Sequence, residues 1–170
     1  MDISTLIRDV PDYPKPGIIF KDITPLWKDK TGFAQSIRDL AGKFKNDRID
    51  VVAGAEARGF LVGAPVAYEL GVGFVPVRKP KKLPYKHISV SYELEYGTDT
   101  IAIHADAVAK GQRVLIIDDL IATGGTVAAM TELVEKLGGV VAGIGFIIEL
   151  GFLKGREKIS RYRIESLITY

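Results

Sequence analysis

The chain has 170 residues, 23 Lys+Arg against 21 Asp+Glu and a formal charge of +2, so a global basic footprint for nucleic acid is absent. Zero cysteines exclude disulfides, thiolate zinc and a cysteine nucleophile. His87 and His104, far apart in sequence, make a poor basis for a histidine-rich metal centre, which leaves carboxylates, Lys/Arg, hydroxyls and backbone amides to carry any chemistry.

The length predicts one domain over 1–170, and the 47% apolar and 26% charged fractions fit an ordinary globular protein. The amino terminus meets Arg8 and Asp9 before any long apolar run, unlike a secretory signal. The uncharged stretch Leu137 to Ile148 has 12 residues, short of the ~20 that a membrane helix needs. These features imply a cytoplasmic location.

In chain order, Pro11, Pro14, Pro16 and Gly17 make residues 9–17 extended rather than helical. Phe33, Ile37, Leu40, Ala41 and Phe44 recur at helical spacing over 31–46, with Thr31 as the N-cap. From Asp50 apolar strands alternate with helices: strand 50–55, helix 60–70 with Pro65 in its early turns or at a kink, strand 73–77, strand 113–118 and strand 140–148. Unbroken apolar strands separated by helices predict a mostly parallel α/β sheet with helices on both faces. Over 90–104, Val90, Tyr92, Leu94 and Tyr96 alternate with polar residues before a turn at Gly97-Thr98-Asp99, the pattern of a half-exposed antiparallel hairpin.

The segment Val114 to Thr126 (VLIIDDLIATGGT) concentrates the chemistry. A buried strand ends at Asp118 and Asp119, and a Thr-Gly-Gly-Thr loop then opens a helix running to about Leu137. In open α/β sheets ligands sit at the carboxyl ends of strands. Gly124 and Gly125 admit an anion close to the backbone, where helix amides and the hydroxyls of Thr123 and Thr126 cradle phosphate. Carboxylates repel phosphate, so their neighbourhood calls for a sugar whose vicinal hydroxyls they accept from while its phosphate enters the loop. A Walker loop would need a lysine before Thr126, a dinucleotide fingerprint a third glycine after Gly71-Val72-Gly73, and a receiver domain more chain than the roughly 50 residues after Asp119.

This segment resembles the ribose-phosphate motif of type I phosphoribosyltransferases. The likeness extends over almost the whole chain, through PGIIFKDIT (16–24), EARGF (56–60), RKPKKLP (78–84), SYELEYG (91–97) and ELGFLKGRE (149–157). It implies that fold, with a small hood from 1–34 and a mobile loop and hairpin over 78–104. It also implies transfer of a 5-phosphoribosyl group from 5-phosphoribosyl 1-pyrophosphate to adenine, giving AMP and pyrophosphate in purine salvage by a homodimer. Mg2+ is implied as the cofactor, carried by the substrate with no direct protein ligand.

By the same resemblance, Asp118 and Asp119 hold the ribose hydroxyls and stabilise an oxocarbenium-like centre, while Ala122, Thr123, Gly124, Gly125 and Thr126 bind the 5-phosphate. Arg58 grips pyrophosphate with the amides of 56–59, and a cis peptide is implied at Glu56–Ala57. Arg78 to Lys86 has five cations, no acid and two prolines; the resemblance assigns Arg78, Lys79 and Lys82 to pyrophosphate. Glu95 becomes the acid/base residue for the purine proton, with Tyr96 beside it; read without the resemblance, Glu93 and Glu95 are a polar strand face. The backbone of Ile19, Phe20 and Lys21 reads the adenine edge and Phe20 covers the ring, whereas Ile18 to Phe20 on their own read as a short buried strand. Lys21 stands where the family often has arginine. Two rivals stay open: a nucleotide-sensing regulator of nucleic acid, disfavoured by the absence of a basic face, and an enzyme for a 6-oxopurine.

Overall fold

The structure is a computed structural model and describes residues 1–94 and 97–170. Five parallel strands form its centre: β3 (Val51–Ala55), β4 (Gly73–Val77), β7 (Arg113–Ile121), β8 (Val140–Glu149) and β9 (Ile164–Thr169), in the order β4-β3-β7-β8-β9. Two antiparallel pairs flank it, β1 (Arg8–Pro11) with β2 (Ile19–Asp22) and β5 (His87–Glu93) with β6 (Thr98–His104). The helices are α1 (Thr24–Lys28), α2 (Lys30–Phe44), α3 (Arg58–Leu70) and α4 (Gly125–Lys136).

Every residue of β3 is buried, as are Val114 to Ile117 of β7, which is why these strands read as unbroken apolar runs. One face of the sheet packs Leu115 and Ile117 against Ile37, Leu40 and Phe44 of α2 and Val62 and Val66 of α3. The other packs Val114 and Ile116 with Val127, Met130 and Leu133 of α4 and with Val90, Ile101 and Ile103 of the β5–β6 hairpin. Within the sheet, chain order runs outward to β4 on one side of β3 and through β7, β8 and β9 on the other. Successive connections therefore depart in opposite directions between β3 and β7, and at such a switch point the loops at the carboxyl ends of two adjacent strands separate and leave a crevice.

Several boundaries move. Asp29, not Thr31, caps α2, accepting from the N–H groups of Thr31 at 3.1 Å and Gly32 at 2.7 Å. An ionised carboxylate one residue ahead of the helix reaches its orphan amides better than a hydroxyl already inside it. Helix α3 starts two residues early, at Arg58, and continues past Pro65; the carbonyl that Pro65 leaves unpaired belongs to Leu61, whose side chain is 50% exposed, on the wet side of the helix. Strand β7 runs on to Ile121, so Asp118 and Asp119 lie within it, not at its end. The hairpin begins at His87, and Thr98 and Asp99 pair with Glu93 and Tyr92 as strand residues. Strand β2 is not buried: Ile19 is 55% exposed. Among the described residues no helix is long and apolar enough to cross a membrane.

Candidate active site

The crevice between β3 and β7 holds a cavity of about 290 Å³. One wall is the β3–α3 turn, residues 55–59, and the other is 118–127, the end of β7 and the start of α4, with Phe146 of β8 beneath. Arg58, Asp118, Asp119 and the whole segment Ala122 to Thr126 thus meet in one place.

Gly124 precedes α4 with φ +82°, a left-handed conformation that glycine takes freely, and no side chain caps the helix. The first-turn amides of α4 are left for a ligand, with the helix dipole behind them. Opposite them, Asp119 is 3% exposed, and its Oδ2 lies 3.1 Å from Arg58 Nε. That oxygen is buried and accepts no aligned hydrogen bond, so the contact is a charge pairing only. Asp118 Oδ1 accepts from the Asp119 N–H at 2.9 Å. It also lies against the first turn of α3, where a Cβ on Gly59 would come within 2.8 Å of it.

Burial pushes the Asp118 carboxyl well up, and the neighbouring Asp119 charge adds to it. Burial raises Asp119 too, against the pull of Arg58. Asp119 is buried and Asp118 half-buried, with a single cation, Arg58, paired to Asp119, so the site is short of positive charge and a cationic group arriving there restores the balance.

The cation-rich segment 78–86 stands at the rim, held by acids. Glu56 takes three contacts: its Oε1 accepts from the Lys79 N–H at 2.7 Å, and its Oε2 from Lys82 Nζ at 2.9 Å and Arg78 Nη2 at 3.3 Å. Burial alone would raise Glu56, but these three donors together hold it below its usual value. Lys79 Nζ is paired with Asp99. Asp99 in turn accepts from Tyr92 Oη at 3.3 Å, and Tyr92 Oη is 3.0 Å from Thr126 Oγ1. A polar chain therefore joins the loop to Thr126 at the start of α4. The Glu56–Ala57 peptide is cis, as the resemblance implies.

Replacing Glu56 with Gln loosens this loop. Part-exposed ion pairs contribute roughly 0.2–1 kcal/mol each. Trypsin should consequently cut within 79–86 several-fold faster in E56Q than in the unmodified protein, a ratio of about 2 to 5 for ~0.5–1 kcal/mol. Equal rates would show that Glu56 does not restrain the loop.

Of the predicted base-site residues, Phe20 stands near Arg58 of the cavity wall: the Arg58 guanidinium is 5.9 Å from its ring centroid, and Tyr13 meets the ring edge-on at 5.2 Å. Lys21 turns its side chain elsewhere, to Asp9 at 2.6 Å and over the Tyr170 ring at 3.9 Å. Ile19 pairs with Pro11 across the β1–β2 ladder. Glu95, with Tyr96, lies outside the described residues. In the sequence Asp99 reads as a turn residue, and no local pattern ties Glu56 to the cations of 78–86. An acid in each partner segment of a five-cation run is the signal that could have found them.

The phosphoribosyl transferase domain family matches residues 27–167. An adenine phosphoribosyltransferase of a Thermoanaerobacter species is 59% identical over 169 residues, which cover 99% of this chain and 98% of that one. The crystal structure of the Thermoanaerobacter pseudethanolicus adenine phosphoribosyltransferase superposes with a TM-score of 0.96 at 58% identity, covering 99% of this chain and 98% of that one. That of the Saccharomyces cerevisiae enzyme, complexed with an imino-altritol bisphosphate and adenine, gives 0.91 at 41% identity, with 97% and 96% covered. With a parallel sheet whose switch point carries the adjacent Asp118 and Asp119 beside an uncapped glycine loop, and this identity from end to end, the chain belongs to the phosphoribosyltransferases, in the adenine phosphoribosyltransferase family.

Proposed function

We propose that this enzyme joins adenine to 5-phosphoribosyl 1-pyrophosphate in the β3–β7 crevice, releasing pyrophosphate and leaving AMP. One observation carries the assignment of parts: the uncapped α4 amides and the Asp118–Asp119 pair face one cavity of a size for a sugar phosphate. The 5-phosphate sits on Ala122 to Thr126 and stays attached throughout, anchoring C1 of the ribose. Asp118 and Asp119 accept from the 2- and 3-hydroxyls. As the C1–oxygen bond to pyrophosphate breaks and the C1–N9 bond forms, positive charge grows on the ribose, and the two carboxylates supply the counter-charge.

Pyrophosphate takes over the cations that Glu56 and Asp99 hold otherwise: Arg78, Lys79 and Lys82 turn to it, with Arg58 and the 56–59 amides beneath. Closure of the loop excludes water, the competing nucleophile. Adenine lies under Phe20 and reads the backbone of Ile19 to Lys21. The Lys21 ammonium, engaged with Asp9 and Tyr170, is not needed for that. The N9 proton passes to Glu95, so Glu95→Gln should lower kcat by about a hundred-fold with little change in either KM. Unchanged turnover removes Glu95 from the mechanism.

Magnesium fits this arrangement as a companion of the substrate. Mg2+ is usually held through one or two carboxylates plus substrate phosphates, and no three acidic or histidine side chains meet among the described residues. Bound to the pyrophosphate oxygens, it would neutralise the departing charge. We place the enzyme in the cytoplasm as a homodimer, with 1–34 as the hood; light scattering at twice the monomer mass supports the dimer and monomer mass overturns it.

The test is incubation with 5-phosphoribosyl 1-pyrophosphate, Mg2+ and each of adenine, hypoxanthine, guanine and xanthine, with detection of pyrophosphate. Turnover with adenine alone is expected. Turnover with a 6-oxopurine would move the enzyme to that substrate class, and none with any base would leave a nucleotide-binding protein.

A further inference from the structure

The segment Glu149 to Glu157 shares in the resemblance yet touches no assigned substrate group. Its place in the structure gives it a task. Glu149 ends β8, next to Ile121, the residue that launches the phosphate loop from β7. Glu149 is buried, 7% exposed, and its carboxylate is fully engaged. Its Oε1 accepts from Arg156 Nε at 2.8 Å, and its Oε2 from Arg156 Nη2 and Ser166 Oγ, both at 2.6 Å. Arg156 Nη1 also donates to the Ile164 carbonyl at 3.2 Å. A forked pair of this kind fixes the guanidinium in plane and direction as well as in distance.

The residue before Arg156 is Gly155, buried against the loop. A Cβ on Gly155 would stand 2.3 Å from the Ala122 carbonyl oxygen and 3.0 Å from the Gly124 nitrogen. A Cβ on Gly124 would stand 2.4 Å from the Gly155 oxygen. Two backbones thus meet with no side chain between them. Four residues on, Ile159 is wholly buried in the cluster that holds Val127 and Met130 of α4. The 155–159 turn is therefore pinned at one end by the ion pair and at the other by the core, with its glycine pressed on the underside of residues 122–124.

We propose that Glu149 and Arg156 are positioning residues for the 5-phosphate: their forked ion pair holds Gly155 as a buttress that sets the shape of the 122–126 loop. Neither side chain touches substrate. Their effect is on the aim of the loop amides, and a misplacement of about 1 Å in such a cradle lowers rates by up to about a hundred-fold. Ser166 shares the carboxylate but does not carry Gly155, so its hydroxyl is dispensable to the device.

This inference rests on the assignment of 122–126 to the 5-phosphate, and the test separates the two. Arg156→Lys keeps the charge and loses the fork; Gly155→Ala fills the gap; Ser166→Ala is the control. Steady-state KM for 5-phosphoribosyl 1-pyrophosphate and for adenine are measured with the dissociation constant of ribose 5-phosphate, which has the phosphate but no pyrophosphate. In R156K and G155A, the phosphoribosyl pyrophosphate KM and the ribose 5-phosphate constant should both rise about ten-fold, with adenine KM within about two-fold, a pattern that general destabilisation does not produce. S166A should stay near the unmodified enzyme. Should G155A fail to fold, R156K decides alone. The loop assignment is read from Thr126→Val: if T126V weakens ribose 5-phosphate and R156K does not, the buttress is wrong and the loop stands. If neither does, the loop assignment has failed and the buttress with it.

Discussion

Asp118→Asn lowers kcat/KM by about two to three orders of magnitude and makes the protein more stable at neutral pH. The activity loss is that of a preorganised charge aimed at the developing ribosyl cation, where one such group contributes ~3–4 kcal/mol. The gain in stability has the same origin. Asp118 is half-buried beside Asp119, and lost hydration first, then that neighbour, push its carboxyl up. A carboxyl raised on folding is at its most favourable below the ordinary carboxylate range, where folded and unfolded chains are both protonated. As pH rises, the unfolded chain ionises first and the folded chain later, so stability falls across the window between the two values and is level above it. Asparagine has no such window. Its melting temperature should exceed that of the unmodified enzyme at pH 7, by about 2–4 °C for each ~1 kcal/mol relieved, and the difference should shrink as pH is lowered towards 4. Glu56 has the opposite sign: held low by Lys79, Lys82 and Arg78, it stabilises above the ordinary glutamate range and loses that contribution as pH falls through its depressed value. Scanning calorimetry of D118N and E56Q across pH therefore gives slopes of opposite direction, and a D118N protein less stable at pH 7 would refute the account of a site strained for its substrate.

Gly124→Ala should abolish most activity by a different route. At φ +82° an L-residue costs ~1–2 kcal/mol. The added Cβ would also meet the Gly155 oxygen at 2.4 Å, a backbone atom that cannot turn aside. The loop or the 155–159 turn must move, and the amides at the start of α4 lose their common aim. A fall in kcat/KM for 5-phosphoribosyl 1-pyrophosphate of about a hundred-fold is expected, with the melting temperature lowered by several degrees for ~2–3 kcal/mol. Gly125→Ala is the instructive neighbour. Its Cβ would meet the Tyr92 ring at 3.2 Å, a side chain that can yield, and its effect should be much smaller. Equal effects at the two positions would mean that the contact with Gly155 has no special part.

What could be read from the residues alone was whatever local pattern decides. The apolar strands, the α2 stripe from Phe33 to Phe44 and the Asp-Asp to Thr-Gly-Gly-Thr segment announce themselves within a dozen residues. What escaped depends on pairing across the chain. Strand β9 carries Arg163, Glu165 and Ser166 near or within it, and is a strand because β8 needs a partner on its open side. Asp99 becomes a strand residue only in register with Tyr92, and His87 and His104, distant in sequence, face each other across the β5–β6 ladder. The rim had the same difficulty. Five cations in a row look free in a sequence, whereas three of them lie on Glu56 and Asp99, 20 to 26 positions away, once the sheet brings the segments together. Near-neutral net charge is the sum of these local pairings and of the Asp118–Asp119 pair in the crevice.

The most direct measurement is a crystal structure of the protein with ribose 5-phosphate. The account predicts the phosphate on the amides of Thr123 to Thr126, the two ring hydroxyls within hydrogen-bond distance of Asp118 and Asp119, and Gly155 still pressed beneath Gly124. Phosphate bound instead among Arg78, Lys79 and Lys82, with the α4 amides left to water, would contradict it.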